Sequence, residues 1–334
     1  MKKILVIQTA FLGDAILTTP VFRELKKIVP DCKIHALVNK NSVELLKNDP
    51  NIDRIIAFDK KNGKFINFIK TVRLIKKNRY DEAFSMNISF TSSLLMLLGS
   101  IPVRVGPERM NFLTHPVKFS KKGLHIRKRA VELLKKRYPE NAFDDSTKLY
   151  LSEKDKENAD SIIKNLKYKN IIGIAPGSVR GTKRWPEEYF TELLKLLSAK
   201  KISVITLGSR NEKELCDKII RKSGNLYCEN LAGELSLTES AAVIEKLDLL
   251  ISNDSAPLHM ANAINTPVYA FFGPTVKRFG CYPYREKDKI LEVDLECRPC
   301  GTHGGKKCPL DHHNCMKNIK PEFVRKLIGD FYNV

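Results

Sequence analysis

Residues 249–275, LLISNDSAPLHMANAINTPVYAFFGPT, constrain the fold more than any other stretch of the chain. Leu249, Leu250 and Ile251 form an apolar run that stops at Ser252, Asn253, Asp254 and Ser255. A helical pattern through Leu258, Met260, Ala261, Ala263 and Ile264 follows at once. This predicts a strand delivering polar residues to a helix N-terminus. Asn265-Thr266-Pro267 ends the helix, and a second strand, Val268 to Phe272, runs into Gly273-Pro274-Thr275. In an open parallel sheet such strand ends form the binding crevice, and unpaired helix N–H groups there attract phosphate. The same geometry serves as a plain cap, with Asp254 or Ser255 accepting from the first helical turn. The stretch alone leaves both open.

The alternation recurs along the whole chain. Strands are predicted at Lys3–Ile7, Lys33–Val38, Arg54–Phe58, Glu82–Ser85 and Val103–Gly106, with helices at Ala15–Val29, Ser42–Lys47, Phe65–Lys77 and Phe90–Leu98. Pro107 to Ser120 lacks periodicity and reads as loop. After a strand at Lys148–Leu151 and a helix at Glu153–Asn165, a second series opens with Ile171–Ala175. We therefore expect an α/β protein with doubly wound parallel sheets. A length of 334 residues suits two domains at ~150 residues each. The boundary is expected after residue 165, giving domains 1–165 and 166–320 and a final helix in 321–334.

Charge narrows the partners. The formal net charge is +20. It is concentrated in residues 1–165, where 32 Lys and Arg face 18 Asp and Glu. The densest part, Lys118 to Arg137, holds Lys118, Lys121, Lys122, Arg127, Lys128, Arg129, Lys135, Lys136 and Arg137. Such a field attracts polyanions: nucleic acid, an anionic membrane or a phosphorylated substrate. It is equally what a lysine-rich surface looks like. No apolar run approaches the ~20 residues of a membrane span. The N-terminus begins like a signal peptide but turns polar at Gln8-Thr9, so it is read as a first strand and the protein is expected in the cytoplasm.

Two loops carry chemistry. Gln8 to Asp14 follows the first strand, with Gly13 at the turn and Asp14 at the helix start, either as a cap or as a carboxylate facing the crevice. Pro176-Gly177-Ser178-Val179-Arg180-Gly181-Thr182-Lys183-Arg184-Trp185-Pro186 places glycines, hydroxyls and three cations after a strand end, a composition suited to a diphosphate. It is neither a Walker loop nor a GxGxxG fingerprint. Of eight cysteines, Cys297, Cys300, Cys308 and Cys315 cluster, with His303, His312 and His313 nearby. Four thiols in one segment are candidate ligands for structural zinc, although the spacing is no repeated CxxC.

Three blocks together resemble a known family. Phe11-Leu12-Gly13-Asp14 with Thr18-Thr19-Pro20, Ala175-Pro176-Gly177-Ser178 with Lys183-Arg184-Trp185-Pro186, and Ser252 to His259 are similar in order and spacing to the ADP-heptose:lipopolysaccharide heptosyltransferases of glycosyltransferase family 9, the heptosyltransferase II branch in particular. The resemblance covers nearly the whole chain. It implies a GT-B fold, two Rossmann-like domains facing a central cleft, with the last helix crossing back to the first domain. It implies inverting transfer of heptose from ADP-L-glycero-D-manno-heptose to the lipopolysaccharide inner core.

By the resemblance, Asp14 is the general base and Lys183 the cation on the departing diphosphate. Ser178, Thr182, Asp254, Ser255, Ala256 and His259 bind the donor, and Leu231-Ala232-Gly233 lies along the adenine. Ala256 stands where many members have glycine. Gly13 and Asp14 are expected on the acceptor side. Arg127, Lys128 and Arg129 are expected to meet the anionic acceptor during peripheral contact with the cytoplasmic face of the inner membrane. No Asp-x-Asp clamp is present, so no catalytic metal is implied, and a structural zinc at the cysteines is the one candidate cofactor. The rival expectations are another nucleotide sugar or acceptor, a nucleotide-sugar epimerase on the same scaffold, and a nucleic-acid-binding protein. No nucleic-acid motif supports the last.

Overall fold

The computed structural model describes residues 1–59, 64–119 and 123–333. Lys121 and Lys122 lie outside them. The chain divides into two units, Met1–Tyr150 and Leu151–Val334.

In the first unit, β1 (Lys3–Gln8), β2 (Lys33–Asn39), β3 (Arg54–Phe58), β4 (Glu82–Ser85), β5 (Val103–Pro107) and β6 (His115–Val117) form one sheet in the order β3-β2-β1-β4-β5-β6. Every pairing is parallel. Its helices are α1 (Leu12–Leu17), α2 (Thr19–Ile28), α3 (Val43–Leu46), α4 (Lys64–Asn78), α5 (Phe90–Leu98) and α6 (Ile126–Arg137). Alternate residues of β1 divide between two cores. Ile4 and Val6 pack with Phe22, Leu25 and Leu134, whereas Leu5 and Ile7 pack with Ile75, Leu95 and Met96. Helices therefore cover both faces, as a doubly wound sheet requires.

The second unit repeats the plan. Strands β7 (Asn170–Ala175), β8 (Ile202–Thr206), β9 (Cys228–Asn230), β10 (Leu249–Asn253), β11 (Val268–Phe271) and β12 (Lys289–Leu291) run β12-β11-β10-β7-β8-β9. Counted within the unit, this is the strand order of the first sheet seen from the other end. The helices are α7 (Glu153–Lys164), α8 (Glu187–Leu197), α9 (Lys213–Ser223), α10 (Leu237–Glu245), α11 (Ala256–Ala263), α12 (Asn314–Lys317) and α13 (Pro321–Tyr332). Trp185 centres the core, stacked on Phe271 at 4.3 Å, with its indole N–H donated to the Ile319 carbonyl at 2.9 Å.

Several expectations change. The helix expected over Ala15–Val29 is two helices, broken at Thr18 because Pro20 has no N–H to donate back. Lys148–Leu151 pairs with no strand. It is a connection held by the Lys148 N–H on Thr19 Oγ1 at 3.1 Å. The division falls after Tyr150 rather than after residue 165, because α7 docks on α10, where Thr238 Oγ1 donates to Asp155 at 3.1 Å. Helix α13 belongs to the second unit, packing on α8 and donating from Tyr332 to Asp248 at 3.1 Å. Strand β6 falls in the stretch expected to be loop.

Candidate functional site

In each sheet the strand order reverses between two central strands, β1 and β4 in one and β7 and β10 in the other. Parallel α/β sheets open a crevice at such a switch point, on the carboxyl side. The two loops and the opening stretch singled out in the sequence all emerge there.

In the second unit the site is built on Asn253, the last residue of β10 and fully buried. Its Nδ2 donates to the Pro176 carbonyl at 2.8 Å and its Oδ1 accepts from the Trp185 N–H at 2.9 Å. One side chain thus ties both ends of the 176–186 loop to the end of β10. Asp254, next in the chain, is buried at the start of α11. It receives Lys183 Nζ at 2.6 Å and the Thr275 hydroxyl at 2.7 Å, both on Oδ2. The carboxylate fixes the ammonium, and the ammonium neutralises a negative charge that would otherwise oppose an anion at the helix N-terminus. Ser255 is the N-cap residue, with its hydroxyl donated to the Asn253 carbonyl at 3.3 Å.

His259 lies on α11 with its Nδ1 unpartnered among the described residues. Burial, and behind it Lys183, outweigh Asp254 and depress its pKa to about 4, so the ring is neutral. A neutral imidazole can both donate and accept beside a phosphate or sugar. Ser178 is buried and accepts from the Arg180 N–H at 3.4 Å. Leu231 and Ala232 turn their side chains into the core, and Gly233 sits at φ +78°, against the Arg210 backbone, so this strip can meet a ligand only through its main chain.

Four further residues make contacts around this candidate site that the sequence reading did not assign to them. Thr275 is the second donor to Asp254. The Arg298 side chain is 5% exposed, with hydrogen bonds to the carbonyls of Gly273, Val293, Phe272 and Thr275 and an ion pair to Glu292 at 2.8 Å. His313 donates from Nε2 to the Thr182 carbonyl at 2.9 Å. Glu212 packs its carboxylate so closely on Gly177 that a Cβ there would overlap it. The signal for Glu212 was available, as an acid three residues after Ser209, to which it is bonded at 2.8 Å.

Thr182 serves as a fastening point. Its N–H donates to Gly305 O at 3.1 Å, and its hydroxyl both donates to that carbonyl at 3.0 Å and accepts from Gly305 N–H at 2.8 Å. The cysteine-rich segment is therefore pinned onto the 176–186 loop. Its thiols are free, and Cys300 donates to the Cys297 carbonyl at 3.3 Å. Burial, reinforced by the neighbouring thiols, pushes Cys315 up to about 11. Among the described residues, no three His, Cys, Asp or Glu side chains form a group suited to a metal ion.

In the first unit, Asp14 lies in the short α1 at the carboxyl end of β1, half-buried, with Oδ2 accepting the Phe11 N–H at 3.1 Å. It occupies the first turn with Gly13 beside it. The basic stretch is largely committed to its own unit. Arg127 pairs with Asp145, and Arg129 donates to the Leu124 carbonyl at 2.7 Å. Arg137 joins Lys2 on the buried Glu82, at 2.6 and 2.7 Å. Of the three expected acceptor cations, Lys128 alone is exposed.

The family model of glycosyltransferase family 9 (heptosyltransferase) matches residues 68–311. The chain belongs to this family. Across family 9, it is 29% identical over 328 residues to a Campylobacter jejuni lipooligosaccharide heptosyltransferase 2, with 96% of both chains covered. It is 27% identical to the Escherichia coli K12 lipopolysaccharide heptosyltransferase 2, again over 96% of each. The solved E. coli ADP-heptose lps heptosyltransferase II superposes with a TM-score of 0.79 at 24% identity, covering 99% of this chain and 98% of that one. This family 9 enzyme is thus a glycosyltransferase with the two Rossmann-like units of the GT-B class. No helix among its described residues is long and apolar enough to cross a membrane.

Proposed function

We propose that this enzyme transfers heptose from ADP-L-glycero-D-manno-heptose to the inner core of lipopolysaccharide, with inversion at the anomeric carbon. The observation that carries this is the convergence of Lys183 and Thr275 on Asp254 at the start of α11, in a family 9 chain whose relatives bear that name. In this mechanism the diphosphate of ADP meets the N–H groups of α11 and the ammonium of Lys183, with Ser178, Ser255 and Ala256 alongside. Asp254 and the neutral His259 hold sugar hydroxyls. Asp14 takes the proton from the acceptor hydroxyl as its oxygen bonds to the anomeric carbon, and the bond from that carbon to the ADP oxygen breaks. Negative charge developing on the leaving diphosphate is met by Lys183. The acceptor is an anionic glycolipid, which places the enzyme at the cytoplasmic face of the inner membrane.

The test is ADP release from ADP-heptose with and without heptose-deficient lipopolysaccharide. We expect acceptor-dependent release in the wild type and its loss in Asp14→Ala and Lys183→Ala. Tight ADP-heptose binding with no acceptor response would move the acceptor, and absent binding would move the sugar nucleotide. An epimerase would give free sugar without acceptor.

A further inference from the structure

Helices α4 and α5 lie side by side over one face of the first sheet. Ile75 of α4 and Leu95 and Met96 of α5 share a core, and a Cβ at Gly99 would overlap Ile75. The outer side of this layer is unlike an ordinary helix exterior. On α5, Phe90, Leu97 and Leu98 are 61%, 36% and 43% exposed, and Leu94, between them on the same helical face, is half-buried. The whole helix, FTSSLLMLL, contains no charge. At the start of α4, Phe65 and Ile66 are 75% and 59% exposed.

The rest of α4 supplies the second half of the pattern. Lys70, Arg73, Lys76 and Lys77 are exposed, form no ion pair among the described residues, and share the helix with no carboxylate. Both helices follow strands of one parallel sheet, so both begin at its carboxyl edge, the edge that carries Asp14.

An outward helix face of a water-soluble layer is normally polar, and a contiguous apolar patch marks an interaction surface. We propose that the outer face of α4 and α5 is a docking surface for an anionic phospholipid bilayer, with Phe90, Leu97 and Leu98 entering the headgroup boundary and the α4 cations meeting lipid phosphates. Charge complementarity selects this occupant. A second copy of the chain would bring the same cations against themselves, and a polynucleotide would leave the apolar residues unexplained. Apolar side chains ringed by Lys and Arg are the composition of an interfacial helix. The surface differs from the expected contact at Arg127 to Arg129, whose arginines are bound within their own unit. Its biological role rests on the lipid-linked acceptor proposed above.

The experiment is co-sedimentation of the full chain with vesicles of phosphatidylcholine alone and of equimolar phosphatidylcholine and phosphatidylglycerol. The wild type should bind the anionic vesicles in a salt-sensitive way and ignore the neutral ones. Removing two cations, Arg73→Gln with Lys77→Gln, should weaken binding about 25-fold, from roughly fivefold per charge. Leu97→Ser with Leu98→Ser should weaken it comparably, and Lys128→Gln on α6 far less. All these sites are exposed, and an unchanged unfolding temperature confirms the fold. Heptosyl transfer to a water-soluble, deacylated acceptor should be unchanged in both double variants. If that transfer is absent while vesicles bind, the function fails and the surface stands. Wild-type protein that ignores anionic vesicles, or binding unmoved by both double variants, would overturn the surface. So would a dimer dissolved by Leu97→Ser with Leu98→Ser, which would assign the face to a second copy.

Discussion

Replacing Lys183 by methionine removes the ammonium and keeps most of the side chain's bulk. Asp254, 6% exposed, would then hold its charge on the Thr275 hydroxyl alone. Breaking a buried pair from one side costs about 3 kcal/mol. In a unit of this size that lowers the unfolding temperature by roughly 6–12 °C. Asp254→Asn strands a lysine that can reach water, and should cost about 1.5 kcal/mol. With both changes no charge is left unpaired, so the double variant should cost about 2.5 kcal/mol, a coupling of about 2 kcal/mol. Urea unfolding followed by tryptophan fluorescence reads this directly. Trp185 is the sole tryptophan, and it is buried in the unit that holds the pair. A coupling below ~0.5 kcal/mol, the ordinary failure of additivity, would refute a buried ion pair.

Arg298→Met leaves four backbone carbonyls without their guanidinium and should cost about 3–4 kcal/mol by the same fluorescence. Arg298→Lys should not rescue it, since an ammonium cannot span the fork. Gly177→Ala drives a methyl into the Glu212 carboxylate. It should weaken ADP binding measured by calorimetry on the order of tenfold, and Glu212→Ala should restore part of the loss. His259 has a folded pKa of about 4 against 6.5 unfolded, so the unfolded chain binds the extra proton. Its contribution is complete above pH 6.5, falls away between 6.5 and 4, and amounts to about 3 kcal/mol. The stability difference between wild type and His259→Gln, measured by urea titration across this range, should therefore shrink toward acid. A difference independent of pH would contradict a buried neutral ring.

What the sequence discloses is what depends on neighbours in the chain. Strands β3 and β4 lie where apolar runs place them, and β10 ends where the apolar run gives way to Ser252 and Asn253, because periodicity and its interruption are local. The break between α1 and α2 was also legible at Pro20, yet an apolar series continuing to Ile28 hid it. Edge strands β6, β9 and β12 have three residues each, too few for a period. Arg298 and His313 were hidden for another reason. Three of the carbonyls on Arg298 lie 23 to 26 residues away and the partner of His313 lies 131 away, so the chain near them does not reveal a carbonyl in need of a donor. The cysteines drew attention to the right segment, whereas the contacts that fasten it are made by Gly305, Arg298 and His313.

That fastening bears on how the enzyme diverges. The 176–186 loop is held at its ends by Asn253 and in its middle by Gly305 and His313, so its order is acquired when the chain folds rather than when a ligand arrives. A ligand bound there would meet a surface already in place, and its association need not wait on loop closure. A substitution between Cys297 and Cys315 can shift Thr182 and Lys183 by fractions of an ångström while leaving every residue of the 176–186 loop unchanged. The geometry around Lys183 is thereby open to change from more than a hundred residues away in the chain.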